Sequence, residues 1–328
     1  MADCYLQMAN ESLRRVTLVE RSQLKGVVVP LVTPLHPDGV TVNTTALQQL
    51  VDRLIRQGVH GIFVGGTTGE IWALDDAQWE RLIVAGVEAC AGRVPFYAGV
   101  SHPSTAGAVA RVRRAAQLGA RFRPDVAVAL APYYTPPSQI DIIRHFTALA
   151  QASDLPVLIY QFPGIVKTSI TLPTYLALAA VPGVVGVKDS QADVTEFRHM
   201  IEQLRGNGRD FRLFLGTDAL TDVAVLLGAQ GTVPSIGNIA MPHLAETFAA
   251  AQAGDWARAA VAQLKINKLK AVYKVAATES WGDGFIIGLK AALEILGVPV
   301  GPPAAPLHAC DAAQREAITA LLREAELL

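Results

Sequence analysis

Pro182-Gly-Val-Val-Gly-Val-Lys-Asp-Ser190 is an apolar, valine-rich run that ends on a single lysine. Its apolar part has the composition of a strand buried on both faces. Lys188 stands where that strand leaves the core. On local sequence alone, a solvated lysine at a strand end is the commoner reading. The chemical reading is that a lysine at the mouth of an apolar pocket can shed its proton, because burial disfavours the ammonium. The free amine is then a nucleophile that forms a Schiff base with a ketone or aldehyde. The residues gathered around Lys188 decide between the two.

The same unit, a short apolar strand followed by an amphipathic helix, recurs along the chain. Strands are expected at residues 26–33, 61–65, 95–100, 125–130 and 156–160, in the run ending at 188, and at 211–215 and 230–234. The first helix is carried by Ala46, Leu47, Leu50, Val51, Leu54 and Ile55 at helical spacing, with Asn43 able to cap it and Gly58 able to end it. Further helices are expected at 76–91, 104–119, from near 138, and at 172–181, 194–204, 217–227 and 242–253. Strict alternation, with no glycine-rich nucleotide fingerprint at the first turn, predicts a closed (β/α)8 TIM barrel. An open doubly wound sheet is the alternative, because alternation alone does not show closure. The remainder predicts helices at 256–277, 284–296 and 311–327, with a Pro/Gly-rich join at 297–306. The organisation expected is an N-terminal arm (1–24), the barrel (25–254) and a C-terminal helical extension (255–328).

A hydrophobic fraction of 51% against 17% charged residues describes a chain with a large core. The formal net charge of -1, with no basic face, gives no reason to expect nucleic acid as a partner. Cys4, Cys90 and Cys310 are far apart and odd in number, which fits unpaired thiols in a reducing compartment. With no apolar leader in the first 25 residues and no stretch of membrane-spanning length, the expected location is the cytoplasm, away from membranes.

Barrel enzymes carry their chemistry at the C-terminal ends of the strands. Here those ends present Gly65-Gly-Thr-Thr-Gly-Glu70, Pro132-Tyr-Tyr134, Tyr160, Lys188, Gly216-Thr-Asp218 and Pro234-Ser-Ile-Gly237. Hydroxyls and exposed amides of a Gly-Thr-Thr-Gly turn can hold a carboxylate. A tyrosine is a weak base, but beside an ammonium or iminium its phenolate forms more readily, which suits proton shuttling. Taken singly, the turn and the paired tyrosines read as structure. Falling together on strand ends, they read as a site. The seven histidines show no metal-ligand spacing, and there is neither a P-loop nor a G-x-S-x-G elbow.

Gly66-Thr-Thr-Gly-Glu70, Pro132-Tyr-Tyr134, Leu158-Ile-Tyr160 and Gly186-Val-Lys-Asp-Ser190 together resemble the dihydrodipicolinate synthase / N-acetylneuraminate lyase family, from about Lys25 onward. The resemblance implies a (β/α)8 barrel with C-terminal helices, usually a homotetramer, and a lysine Schiff base with a 2-oxo acid such as pyruvate, without metal or other cofactor. It implies that Lys188 is the Schiff-base lysine and Tyr160 the proton shuttle. Thr67 and Thr68 would bind the substrate carboxylate and relay protons, and Tyr134 would reach a neighbouring subunit's site. Gly216, Asp218 and Ser235 match positions that contact the hydroxylated tail in the lyase branch, and Ser190 lies near enough to join them.

Two departures narrow the expectation. The synthase branch carries an arginine where this chain has Ile165, and the sialic-acid lyases carry an acidic residue where it has Ala219. Lys188-Asp-Ser190 looks most like members that handle 2-keto-3-deoxy sugar acids or 4-hydroxy-2-oxoglutarate, while Gln161 stands where many relatives have Asn. The expected activity is therefore a carbon-carbon lyase (a class I aldolase) cleaving a short hydroxylated 2-oxo acid to pyruvate and an aldehyde. The alternatives are a dehydratase using the same iminium, dihydrodipicolinate (4-hydroxy-tetrahydrodipicolinate) synthesis, and an oxo-acid-binding barrel without turnover.

Overall fold

The computed structural model describes residues 19–119, 121–206, 210–277 and 281–328. Most of the expected N-terminal arm, residues 1–18, lies outside the described residues. Eight parallel strands close into a barrel in chain order: β1 (Gly26–Pro30), β2 (Gly61–Val64), β3 (Phe96–Gly99), β4 (Val126–Leu130), β5 (Val157–Gln161), β6 (Val184–Asp189), β7 (Arg212–Leu215) and β8 (Gly231–Thr232). The pairing of β1 with β8 decides for closure over the open sheet. Almost every strand residue is buried, as expected when helices cover the outside and side chains fill the inside.

The helices are α1 (Thr44–Arg56), α2 (Asp76–Cys90), α3 (Thr105–Gln117), α4 (Gln139–Ala152), α5 (Leu172–Leu178), α6 (Val194–Gly206), α7 (Thr221–Leu227), α8 (Gly237–Gln252), α9 (Trp256–Leu269), α10 (Ala271–Ala276), α11 (Trp281–Ile295) and α12 (Ala312–Glu324). Their starts follow capping chemistry. Asn43 accepts from the Ala46 amide, and Asp75, Ser104, Ser138 and Asp311 do the same for α2, α3, α4 and α12. Gly58, at φ +85°, lets the chain turn back toward β2 after α1.

Several elements differ from the sequence-based expectation, and the helix expected over 217–227 begins only at Thr221. Helix α8 starts at Gly237 and runs through Pro242 with a kink at Ala240, because proline cannot supply the amide that a regular helix needs there. The helix expected over 256–277 breaks at Lys270 into α9 and α10. Pro163–Val166 forms a helical turn where no element was expected.

The core divides by strand alternation. In β4, Val126, Val128 and Leu130 join the barrel's inner cluster, while Ala127 and Ala129 pack outward toward the helices. Strand β6 breaks that rule, and the break positions the lysine. Its pairing with β5 steps from Val157↔Val184 directly to Leu158↔Gly186, leaving Val185 as an extra residue. Val185 joins the inner cluster, and Lys188, three residues on, lies against the inner-cluster rings of Tyr160 and Phe63. In an unbroken strand, residues three apart face opposite sides. The β-bulge turns Lys188 inward.

After the barrel, α11 packs on α8, α10 and α12, and α10 also contacts α12. This layer covers one side of the barrel's top.

Candidate active site

At the C-terminal end of the strands lies a cavity of about 570 Å³. Its depth is set by Lys188 and Tyr160, cross-strand partners on β6 and β5, each only 4% exposed. Lys188 Nζ stands 3.8 Å from the centroid of the Tyr160 ring and 5.3 Å from that of Phe63. The amine thus rests on π faces, an environment that tolerates a cation without pairing it with a carboxylate. The Tyr160 hydroxyl lies 3.3 Å from Thr67 Oγ1. The Phe162 ring stacks on Tyr160 at 6.0 Å and holds its outer face.

Thr67 and Thr68 reach the cavity from the turn that follows β2. That turn is fixed by its own backbone, with Gly69 and Ile71 amides donating to Gly66 O and Glu70 N–H donating to Thr67 O. Thr33 Oγ1 donates to Gly69 O at 2.6 Å. Glu70 closes the turn in the left-handed region at φ 52°. Its carboxylate is buried, accepting from the Ala304 amide at 2.6 Å and pairing with Lys290 Nζ of α11 at 2.6 Å. The threonine turn is therefore clamped to the C-terminal helices by a buried ion pair. Burial pulls the Lys290 ammonium below its usual range, and the Glu70 charge opposes that pull.

Ser190, Gly216, Asp218 and Ser235 also line the cavity. Gly216 is a glycine for a local reason. A Cβ there would overlap the Ser190 hydroxyl and sit 3.1 Å from Lys188 Cε, so only glycine leaves the lysine its path. Asp218 ties three segments together. Its Oδ1 accepts from the Ile236 amide at 3.1 Å, its Oδ2 accepts from the Tyr273 hydroxyl at 2.9 Å, and Ser235 Oγ is within 3.2 Å of both. Burial and the Asp218 charge hold the Tyr273 phenol well above its usual range, so it remains a donor.

Tyr134 is elsewhere. It is 90% exposed on the loop after β4 and does not line the cavity of its own chain. The sequence reading also missed residues that do line it: Lys270, Tyr273, Lys274 and Phe285, all supplied by the C-terminal helices. The lysines and Tyr273 show only polarity at helical positions, as a solvated helix does, and Phe285 reads as an ordinary core residue. His60 accepts from the Val27 amide, and the buried His145 bonds Thr105. Among the described residues no three His, Cys, Asp or Glu side chains gather as a metal site.

Asp189, next to the lysine in sequence, is fully buried, with Oδ1 accepting from the Gln191 amide and no hydrogen-bond partner at Oδ2. Burial lifts its carboxyl to about 6, against the opposing hydrogen bonds from Gln191. A carboxyl raised in the folded state binds more protons than in the unfolded chain between about pH 4 and 6. Its contribution to stability therefore falls as pH rises through that window and stays unfavourable above it. Asp189→Asn keeps the Oδ1 acceptor and removes the charge. Urea unfolding should show the variant gaining stability over the parent as pH goes from 4 to 7, by about 2–3 kcal/mol. An equal difference at both pH values would refute this.

No helix among the described residues is long and apolar enough to cross a membrane. The Dihydrodipicolinate synthetase family model matches residues 23–325. The 4-hydroxy-tetrahydrodipicolinate synthase of Methanoculleus marisnigri is 31% identical over 91% of this chain and 98% of its own length. That of Laribacter hongkongensis is 34% identical over 93% of this chain and 100% of its own. Among solved structures, the dihydrodipicolinate synthase of Acinetobacter baumannii, complexed with pyruvate, superposes with a TM-score of 0.82 at 29% identity, over 93% of this chain and 100% of that one. A prophage protein of the same family from E. coli K12, also in complex with pyruvate, gives 0.86 at 25% identity, over 93% and 99%. With a TIM barrel, a lysine and tyrosine side by side in its mouth, and a family match over nearly its whole length, this chain belongs to the dihydrodipicolinate synthetase family of aldolase-type lyases.

Proposed function

We propose that the cavity cleaves a short 2-oxo acid bearing a C4 hydroxyl into pyruvate and an aldehyde, through a Schiff base on Lys188. The lysine amine adds to the C2 carbonyl, and loss of water leaves an iminium. Removal of the C4 hydroxyl proton lets the C3–C4 bonding pair flow into the iminium, which releases the aldehyde and leaves an enamine. The enamine takes a proton at C3. Water then adds at C2 and frees pyruvate and the amine. The iminium nitrogen is the electron sink, so the scheme requires no bound cofactor or metal.

The observation that carries this reading is the contact of Lys188 Nζ with the Tyr160 ring, joined to the Tyr160–Thr67 hydroxyl pair. Tyr160 takes and returns the proton, and Thr67 passes it on. Thr68 and the turn amides hold the C1 carboxylate. Ser190 and Gly216 flank the middle of the substrate, and the Asp218–Ser235 pair shapes its far end. Tyr134, exposed in the single chain, reaches the cavity of a second copy in a homotetramer and completes the relay there.

Tyr160→Phe keeps the ring under the amine and removes the hydroxyl. Steady-state kinetics should show kcat falling about 100-fold. An unchanged kcat would take Tyr160 out of the proton path.

The names of the curated relatives favour a second reading, condensation of the pyruvate enamine with an amino aldehyde. Ile165 speaks against it, because it packs on the apolar inner cluster at the position where the synthase branch carries a carboxylate-binding arginine. Offering 4-hydroxy-2-oxoglutarate and 2-keto-3-deoxygluconate in one assay, and pyruvate with aspartate semialdehyde in another, separates the two. Pyruvate release from the first pair is expected. Turnover in the condensation assay alone would overturn the lyase reading, and a dehydrated product at unchanged carbon count would replace it with a dehydratase.

A further inference from the structure

Among the described residues, the cavity is lined by one acidic side chain, Asp218, and by three cationic ones, Lys188, Lys270 and Lys274. Asp218 is already occupied. Both its oxygens accept hydrogen bonds from Ser235 and Tyr273 or from the Ile236 amide, so it has little left to offer a hydroxylated ligand. Lys270 and Lys274 are in the opposite condition. They stand four residues apart at the break between α9 and α10, so they share one side of the chain, and both line the cavity. The other lysines of α9 are paired outward, Lys265 with Glu326 at 2.7 Å and Lys268 with Glu324 at 4.0 Å. Among the described residues, the ammonium groups of Lys270 and Lys274 pair with no carboxylate and donate no hydrogen bond.

Two ammonium groups without a carboxylate partner among the described residues, Lys270 half-buried and Lys274 exposed at the edge of the cavity, give this end of the cavity a positive field that selects for negative charge. A neutral polyhydroxylated tail needs free acceptors for its hydroxyl protons, and the one carboxylate that could serve is engaged. We infer that Lys270 and Lys274 form the specificity site for the far end of the substrate, and that this end carries an anionic group, either a carboxylate or a phosphate. The preferred substrate is then a doubly anionic 2-oxo acid. Its C1 carboxylate sits at Thr67 and Thr68, its C2 at Lys188, and its second anion at the two lysines of the C-terminal helices. This rests on the Schiff-base reading of Lys188 and adds the substrate class to it.

The test compares pyruvate release from three probes: 4-hydroxy-2-oxoglutarate, 2-keto-3-deoxy-6-phosphogluconate and uncharged-tail 2-keto-3-deoxygluconate. At least one anionic probe should exceed the neutral one in kcat/KM by about tenfold or more, as expected for charge-assisted hydrogen bonds. Which anionic probe wins identifies the group. In Lys270→Gln and Lys274→Gln the ratio of anionic to neutral kcat/KM should fall at least about tenfold, while Lys270→Arg should retain most of it. A neutral probe that matches both anionic ones overturns the inference. So does a parallel loss on all three probes, which marks a structural role for the lysines. Borohydride trapping of pyruvate on the parent protein keeps the two levels apart. An adduct without anion preference removes the distal site alone, whereas no adduct removes the Schiff-base reading and this inference with it.

Discussion

Lys188→Ala should lower turnover of a cleavable 2-oxo acid by at least about 10⁴-fold, and it should abolish the covalent adduct that pyruvate and borohydride leave on the parent protein. The size follows from what the amine does. Without it no iminium forms, and the C3–C4 electron pair has no sink to enter. Binding of the carboxylate at the threonine turn does not replace that, because holding a substrate without stabilising its transition state does not accelerate the chemistry. A 10⁴-fold loss corresponds to about 5.4 kcal/mol of barrier. Intact-mass measurement after borohydride reduction reads the result directly, and peptide mapping places the adduct. A pyruvyl adduct of unchanged yield in Lys188→Ala, or one that maps to Lys270 or Lys274, would move the nucleophile elsewhere. The side chain can be shortened without collapse of the barrel, since its amine end opens on the cavity beside the Tyr160 and Phe63 rings.

Lys290→Met should destabilise the fold by about 3–5 kcal/mol at neutral pH, the cost of leaving a buried carboxylate without its partner. The pair is among the most enclosed charges in the chain, with side chains 2% and 1% exposed at a separation of 2.6 Å. Lys290 also donates to Pro302 O, and Glu70 accepts from the Ala304 amide. One ion pair therefore joins the turn after β2, helix α11 and the proline-rich segment beyond it. A double variant, Glu70→Gln with Lys290→Met, should recover a large part of the loss, because it removes both charges together. Urea unfolding of both variants at one pH checks this. A Lys290→Met cost below about 1 kcal/mol would show that water reaches the pair. Thr67 and Thr68 precede Glu70 by three and two residues, so kcat/KM of the single variant should fall as well.

Much of the site was legible because its residues sit at strand ends, and strands announce themselves locally. Lys188, Tyr160, Thr67 and Thr68 each follow an apolar run, and a barrel brings the ends of such runs to one rim. The half of the cavity made by Lys270, Tyr273, Lys274 and Phe285 was not legible. Those residues read as ordinary helical positions, and the break at Lys270 that turns two of them inward carries no glycine or proline to announce it. Glu70 was visible as the end of a turn motif, but nothing in its neighbourhood names Lys290 as its partner.

By itself the sequence determined the alternation of strands and helices, the caps that start the helices, and the lysine and tyrosine at two strand ends. These follow from spacings of two and of 3.6 residues, which are local and survive in the bare chain. Three things were decided only by the tertiary structure. Closure required β1 to meet β8, more than 200 residues later. The inward turn of Lys188 depended on an extra residue in the β5–β6 pairing, a relation between two strands that neither contains alone. The cationic wall of the cavity depended on where the C-terminal helices pack. The physical reason is common to all three: each is a contact between segments distant in sequence, selected by burial of the whole core and not by the preference of any one segment.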